Sequence, residues 1–359
     1  MGERSIVPFG PQHPVLPEPI HLDLVLEDEK VVEAIPSIGF VHRGLEKLVE
    51  KRDFHEYTFV AERICGICSF IHGMGYCQLI EKIMGLEIPR RAQYLRTIWS
   101  EFSRLHSHLL WLGLLADAFG FESLFMQSWR LREKILDILE ETTGGRVIFG
   151  VNKVGGVRRD ISADTLQRVV IVLKEMETEI KDLCKVFIND YSVEKRLKGV
   201  GVLSFEDAHR LGAVGPTGRG SGLQSDMRKL GYAAYNDLDF EPIFEKDGDS
   251  YARCIVRIKE IYQSISLIEQ AVTKIPLGEI DMKVTGNPNG EHFERLEQPR
   301  GEVFYYGRGN GSKFLERVRV RTPTFANVPA LLKILQGCEL TDVPVLVLTI
   351  DPCISCTER

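Results

Sequence analysis

The segment from residue 90 to residue 118 carries apolar side chains at the three- and four-residue spacing of an amphipathic helix, and Pro89 stands directly before it. Similar patterns extend over residues 121–142, 161–197 and 250–274. Each pattern has one apolar stripe, and helices of this kind bury their stripes by packing against one another. The sequence therefore predicts a core built as a bundle of long helices.

Strand patterns flank this core on both sides. The alternating segment HLDLVLEDEKVVEAI, which starts at His21, breaks at an acidic turn and predicts a β-hairpin. Nearer the other end, GEVFYYGRG and FLERVRVRTPT also alternate, and the apolar run VPVLVLTI from Val343 predicts a buried strand. The fold class that follows is α+β, with a long-helix bundle core flanked by N-terminal and C-terminal β segments that meet in space.

We expect a single domain over residues 1–359. Within it, residues 1–45 form a β-rich N-terminal segment and residues 54–275 the helical core, whose pattern is interrupted around Cys65. Residues 300–359 form a β-rich C-terminal segment. The chain has neither an internal repeat nor a low-complexity segment, so nothing marks a boundary inside it.

Composition and charge exclude several functions. With 45 basic and 51 acidic residues the formal net charge is −6, so no overall positive field favours nucleic acid. The longest nearly uncharged apolar stretch, 109–116, is far shorter than the roughly 20 residues of a membrane-spanning helix. The start, MGERSIVPFGPQHP, lacks the apolar core of a secretory signal. We therefore expect any membrane role to be peripheral, through partner subunits.

Four of the eight cysteines form two Cys-x-x-Cys pairs, Cys65 with Cys68 and Cys353 with Cys356. Paired cysteines without an export signal indicate metal ligands or redox thiols. Zinc ribbons usually place their two pairs roughly 15–20 residues apart, whereas most of this chain separates the two pairs. A structural zinc site, a redox thiol pair and a catalytic metal centre all remain open on spacing alone.

The residues around the pairs carry a resemblance. The first pair lies in RICGICSFIH, from Arg63, and the second in DPCISCTER, from Asp351. Together they resemble the large subunit of nickel–iron hydrogenases, whose signatures are R-x-C-G-x-C-x-x-x-H and D-P-C-x-x-C-x-x-H/R. The segments GPQHP, HRGLEKL and AVGPTGRGSGLQSDMRKLGYAAY are similar to the energy-converting, membrane-associated branch and to the quinone-side subunit of respiratory complex I.

The resemblance implies a metal centre and an acid–base group. Cys65 and Cys353 would bind nickel as terminal thiolates, and Cys68 and Cys356 would bridge nickel and iron. The iron would also hold one carbon monoxide and two cyanides. Glu46 matches the family glutamate that takes a proton from Cys353. The complex I subunit has lost the four thiolates, so their presence favours the hydrogenase side of the family.

The resemblance also implies residues around the metals. Arg300 matches an arginine above the open metal position, and Asp117 would orient that arginine. His72 falls on a histidine that hydrogen-bonds a bridging cysteine. The segment lining the diatomic ligands corresponds to Thr322, Pro323 and Thr324. Many relatives place a magnesium-ligating histidine where this chain has Arg359, which makes a magnesium site doubtful because arginine offers no lone pair to a cation.

The implied function is the catalytic subunit of an energy-converting nickel–iron hydrogenase that reversibly reduces protons to dihydrogen. No further cysteine set could hold an iron–sulfur cluster in this chain. We therefore expect a small hydrogenase subunit with a 4Fe-4S cluster, a ferredoxin-like iron–sulfur subunit, integral membrane ion-translocating subunits, and ferredoxin or a related donor. The chain would lie on the cytoplasmic face of the cell membrane. The alternative is a metal-free, complex I-like coupling subunit.

Overall fold

The computed structural model describes residues 4–359, which form long helices and two three-stranded sheets. The strands are β1 (Arg4–Phe9), β2 (His21–Glu27), β3 (Lys30–Ser37), β4 (Asn152–Lys153), β5 (Gly156–Val157), β6 (Asn289–Gln298), β7 (Gly301–Asn310) and β8 (Leu315–Arg321). The helices are α1 (Leu45–Leu48), α2 (Tyr57–Glu62), α3 (Ser69–Met84), α4 (Arg90–Ala118), α5 (Glu122–Thr143), α6 (Ala163–Asn189), α7 (Tyr191–Leu197), α8 (Phe205–Arg210), α9 (Gly215–Arg219), α10 (Ser250–Lys274), α11 (Pro323–Leu335), α12 (Val343–Thr349) and α13 (Ile354–Glu358). The α+β class is thereby confirmed.

Helix α4 is the central element of the bundle. It covers the predicted residues, is buried over almost its whole circumference, and packs between α5 and α10. The pattern predicted as one helix over 161–197 is two helices, α6 and α7. The chain breaks at Asp190, whose extended backbone ends α6 and whose carboxylate accepts the N–H groups of Ser192 and Val193 to cap α7.

The N-terminal sheet has the order β1-β2-β3 and contains the predicted hairpin. Its buried face, which includes Leu22, Leu24 and Leu26, packs on apolar side chains of α11 and α12. The N-terminal segment therefore meets the C-terminal segment as expected. The contact is made through these helices rather than through the strands of the second sheet.

The prediction of a buried strand from Val343 is wrong, because residues 343–349 form α12. A short apolar run does not distinguish a strand from a buried helical turn. Pro344 stands in the first turn of α12, where its missing N–H costs nothing. The strands of the C-terminal segment end at Arg321, and the remainder is mostly helical. Strand β6 was not predicted, and the tight turn between β6 and β7 carries Arg300.

An ionic network lies inside the bundle. Glu260 on α10 accepts hydrogen bonds from Arg219 at 2.6 Å and from His108 on α4 at 2.8 Å. Arg219 also contacts Glu297 at the end of β6 at 2.6 Å. All four side chains are at most 1% exposed. Charges buried this deeply are tolerated only when they are paired, so the network fixes how α4, α10 and β6 pack.

Replacing Arg219 by methionine removes the arginine that contacts both Glu260 and Glu297 at 2.6 Å. We expect Arg219→Met to lower the free energy of unfolding by about 3–5 kcal/mol, measured by urea unfolding of the full-length chain. The matched control is Arg168→Met, which removes an exposed ion pair with Glu141 and should change stability by less than about 1 kcal/mol. Equal effects of the two substitutions would contradict this view of the network.

Candidate metal centre

The four cysteines of the two Cys-x-x-Cys pairs meet in the interior, where each is at most 1% exposed. The Sγ atom of Cys65 lies 3.3 Å from that of Cys353, and the Sγ atom of Cys68 lies 3.5 Å from that of Cys356. The sulfurs of Cys65, Cys68 and Cys356 lie within 4.8 Å of one another. Both cross-pair distances greatly exceed the roughly 2.05 Å of a disulfide bond. The cluster is therefore a set of four free thiols.

The first pair lies in the connection between α2 and α3. The N–H groups of Ile67 and Cys68 both donate to the sulfur of Cys65 at 3.3 Å. From α4, His106 donates its Nε2–H to the carbonyl oxygen of Ile67 at 2.9 Å, because a carbonyl only accepts. Burial lowers the pKa of His106 to about 3. A neutral histidine on α4 thus holds the backbone of the first cysteine loop in place.

In the second pair, Cys353 directly precedes α13 and Cys356 lies within it, and the pair is held by the segment predicted to line the diatomic ligands. The Oγ1 atom of Thr324 accepts the N–H of Cys353 at 3.0 Å, and Thr322 donates its hydroxyl to the carbonyl of Cys356 at 3.1 Å. Pro323 starts α11 between them. These contacts position the cysteine backbone, while the contact of this segment with metal-bound ligands stays a prediction.

His72 on α3 lies against the cluster. Its Nε2 is 3.4 Å from the sulfur of Cys356, and its Nδ1 is 2.5 Å from the hydroxyl oxygen of Tyr305. Burial lowers the pKa of His72 to about 4, so the imidazole is neutral. With the tautomer that places the proton on Nε2, the ring donates to the sulfur and accepts from Tyr305.

Arg300 is buried and is held by the residue two positions before Cys353. Its Nη2 lies 2.8 Å from Oδ1 of Asp351, and its Nε donates to the carbonyl of Asp351 at 2.8 Å. Burial alone would lower the pKa of Arg300, but Asp351 and the cysteine sulfurs raise it above its usual value. Its Nη1 is buried without a protein partner among the described residues, so one donor is available to a group bound at the cluster.

The expectation that Asp117 orients Arg300 is wrong. Asp117 is exposed at the end of α4, whereas the carboxylate that contacts Arg300 belongs to Asp351. Asp351 has a φ of 56°, in the left-handed region that residues other than glycine rarely adopt. This turn places the carboxylate beside Arg300 and sends the chain on into the second cysteine pair.

Glu46 does not have the contacts of a proton relay. Its Oε1 accepts the N–H of Val320 and the Nε–H of Arg359, both at 2.9 Å, and its Oε2 lies 3.2 Å from Arg319. Burial would raise the pKa of Glu46, but these donors outweigh it and lower the pKa. Because cationic side chains already satisfy the carboxylate, and Arg359 offers no lone pair, these residues do not fit a magnesium ion.

Glu18, which the sequence reasoning missed, has contacts that Glu46 lacks. Its carboxylate accepts the backbone N–H groups of Ile354 and Ser355, within the second cysteine pair. Burial, and to a smaller degree the negative charge of Cys65, raise the pKa of Glu18 to about 7. Glu18 also borders an open cavity of about 560 Å³ together with His13. A carboxyl of this kind is able to exchange a proton near neutral pH.

Comparison with known proteins gives the family. The family model described as the respiratory-chain NADH dehydrogenase 49 kDa subunit matches residues 118–287 and 279–359, and the nickel-dependent hydrogenase model matches residues 43–117. The membrane-bound hydrogenase subunit alpha of Pyrococcus furiosus is 38% identical over 98% of this chain and 87% of its own length. The carbon monoxide-induced hydrogenase of Rhodospirillum rubrum is 39% identical over 98% of this chain and 99% of its own length.

A solved structure agrees with this. A chain of a membrane-bound sulfane sulfur reductase, an archaeal respiratory membrane complex, superposes with a TM-score of 0.95 and 32% identity over 99% of both chains. The chain therefore belongs to the oxidoreductase family that unites subunits of energy-converting membrane-bound hydrogenases with the 49 kDa subunits of complex I. Within residues 4–359, no helix combines the length and the apolar character needed to cross a bilayer.

Two substitutions distinguish the observed partner of Arg300 from the expected one. Asp351→Ala removes the carboxylate from a buried guanidinium and should lower the free energy of unfolding by about 3–5 kcal/mol. Asp117→Ala changes an exposed residue and should alter it by less than about 0.5 kcal/mol. Urea unfolding of the full-length, metal-free chain measures both values. A larger loss for Asp117→Ala would contradict the geometry described here.

Proposed function

We propose that this chain is the catalytic subunit of an energy-converting nickel–iron hydrogenase, which reversibly reduces protons to dihydrogen. The convergence of four buried thiols from distant parts of the chain carries the proposal. Thiolates favour soft and borderline metals. The bound nickel and iron, with carbon monoxide and two cyanides on the iron, would supply the redox centre at which dihydrogen is formed or split.

The pairing of the sulfurs suits two metals. Cys65 and Cys353 lie against each other, as do Cys68 and Cys356. The first two would be terminal ligands of nickel, and the other two would bridge nickel and iron. His72 would stabilise the bridging sulfur of Cys356 by donating a hydrogen bond to it. Four thiols also suit zinc, but a structural zinc site gives no role to a buried arginine with a free donor.

Arg300 supports a centre that carries more than cysteine ligands. The buried guanidinium lies close enough to the cluster for Cys353, Cys68 and Cys65 to affect its pKa. Its free Nη1–H would donate to an acceptor bound beside the sulfurs, such as cyanide. Since a guanidinium keeps its charge, Arg300 would polarise and orient, while proton transfer falls to another side chain.

Glu18 would carry the proton between Cys353 and solvent, in place of the Glu46 expected from sequence. Its carboxylate lies against the backbone of the second cysteine pair, and the open cavity beside it leads outwards. A pKa near neutrality allows it to take and release a proton without a large energetic cost in either direction. Glu46 instead would hold Arg359 and the end of the cysteine segment in place.

The partners belong to the same proposal. Electrons would come from ferredoxin or a related donor through a ferredoxin-like iron–sulfur subunit and a small subunit with a 4Fe-4S cluster. The relatives are subunits of membrane-bound complexes, which supports integral membrane subunits that translocate ions. The chain would then sit on the cytoplasmic face of the membrane.

A second candidate is a metal-free coupling subunit. The complex I family model matches two overlapping segments of this chain, and an NADH-quinone oxidoreductase subunit of Chloroherpeton thalassium is 35% identical over 98% of it. The sulfane sulfur reductase neighbour also suggests sulfur rather than protons as an electron acceptor. Neither alternative requires a centre that holds carbon monoxide and cyanide.

Metal analysis and infrared spectroscopy test the proposal directly. The purified complex should contain nickel near one atom per chain, and its infrared spectrum should show carbonyl and cyanide stretches. Zinc alone would favour a structural site. A nickel-free complex that reduces quinone or polysulfide, with no such stretches, would support the second candidate and reject the first.

Two matched amide substitutions test the proton route. Glu18→Gln keeps the shape of the side chain but removes its ability to exchange a proton. The rate at which the complex exchanges dihydrogen with the deuterons of heavy water should therefore fall by roughly 10²-fold or more, while its nickel content stays unchanged. Glu46→Gln, the control, should retain most of the exchange activity. A large loss of exchange activity in Glu46→Gln together with little loss in Glu18→Gln would show that Glu46 carries the proton.

A further inference from the structure

We propose that Arg43 is the positioning residue that sets the distance between the two cysteine pairs. Its Nη1 donates to the carbonyl of Arg63 at 2.9 Å, and its Nη2 donates to the carbonyl of Ile64 at 3.0 Å. The same Nη2 donates to the carbonyl of Ser355 at 2.8 Å. One guanidinium therefore joins the segment directly before Cys65 to the middle of the second pair.

The residues next to Arg43 strengthen this link. The Nδ1 of His42 lies 2.6 Å from the carbonyl oxygen of Glu358, and the N–H of Val41 donates to the carboxylate of Glu358. Gly44 follows with a φ of 66°, a conformation that suits glycine and turns the chain into α1. Residues 41–43 thus form a strap that is bonded to the second cysteine segment at three points.

The geometry of the arginine side chain explains why this residue type suits the position. A guanidinium is planar and presents five N–H donors in a fixed fork, whereas an ammonium presents three donors around one nitrogen. The three carbonyl groups belong to two separate chain segments. Nη2 alone donates to both segments, and Nη1 adds a second bond to the first segment. A lysine would keep the charge, but its side chain is one bond shorter and ends in a single nitrogen, so it could not reproduce all three bonds.

Apart from the contact of His72 with the sulfur of Cys356, the other supports described above act on one segment at a time. His106 holds the first cysteine loop, whereas Thr322 and Thr324 hold the second. Without Arg43 each cysteine loop would keep its own shape. The sulfur–sulfur separations of 3.3 and 3.5 Å between the two pairs would lose the hydrogen bonds that join the two backbone segments. The inference rests on the cysteine geometry and stands whichever metal the thiols bind.

Disulfide trapping in the full-length, metal-free chain tests the inference. Diamide oxidises two thiols to a disulfide, accepts their two electrons and two protons, and becomes the hydrazine. Peptide mapping by mass spectrometry then gives the ratio of cross-pair disulfides to disulfides within one Cys-x-x-Cys pair. This ratio reports the distance between the segments, because disulfides within one pair need only local geometry.

Arg43→Lys and Arg43→Gln should each lower this ratio by about tenfold, the factor expected when charge-assisted hydrogen bonds are lost. Arg52→Lys, at an exposed arginine later in the same connection between β3 and α2, should leave this ratio unchanged. An unaltered ratio in both Arg43 variants, with native circular dichroism, would overturn the proposal. So would equal loss in Arg43→Lys and Arg52→Lys.

The metal-loaded complex gives a second readout. Arg43→Lys should reduce nickel content and broaden the cyanide stretches, since the two segments sample more than one separation. Sharp, unshifted cyanide stretches at full nickel content would contradict the proposed role of Arg43. If the unmodified complex contains neither nickel nor cyanide, the proposed function fails, while the disulfide ratio still decides the role of Arg43.

Discussion

Four sulfur atoms that converge in the protein interior, three of them within 4.8 Å of one another and the fourth 3.3 Å from Cys65, impose strict requirements on their surroundings. Thiolates at such distances repel each other, so a nearby positive charge must offset them. Arg300 supplies that charge and is itself kept in place by Asp351. The left-handed turn at Asp351 is thus a local strain that serves two purposes at once, because the same turn delivers Cys353 to the cluster.

Glu18 and Glu46 are the same residue type, but their different surroundings shift their pKa values in opposite directions. Glu46 is surrounded by donors, two of them arginines, and is kept ionised. Glu18 receives only backbone N–H groups beside a partly negative cluster, so its proton is held more tightly. Pairs of like groups with divergent pKa values are how proteins assign one carboxyl to structure and another to proton exchange. Glu18 and Glu46 form such a pair here.

The spacing of apolar residues along the sequence predicted those elements whose structure is determined locally. The long central helix, the N-terminal hairpin and the helix break at Cys65 follow from periodicity and were predicted. The helix from Val343 was not, because a short apolar run fits strand and helix alike. The partner of Arg300 could not be predicted either, since Asp117 lies at the end of the long helix, Asp351 begins the second cysteine motif, and only the packing decides between them. Glu18 had a weak signal, four residues after the GPQHP segment, whose meaning needed the contact with the second cysteine pair.

The separation of the two cysteine pairs along the chain also orders events during synthesis. The contact between Cys65 and Cys353 spans 288 positions, and contacts this distant in sequence form late because a long loop must close first. A nascent polypeptide on the ribosome, with α4 already made, offers only two of the four cluster sulfurs, those of Cys65 and Cys68. Any metal delivered before residue 353 emerges can therefore meet only half of its binding site.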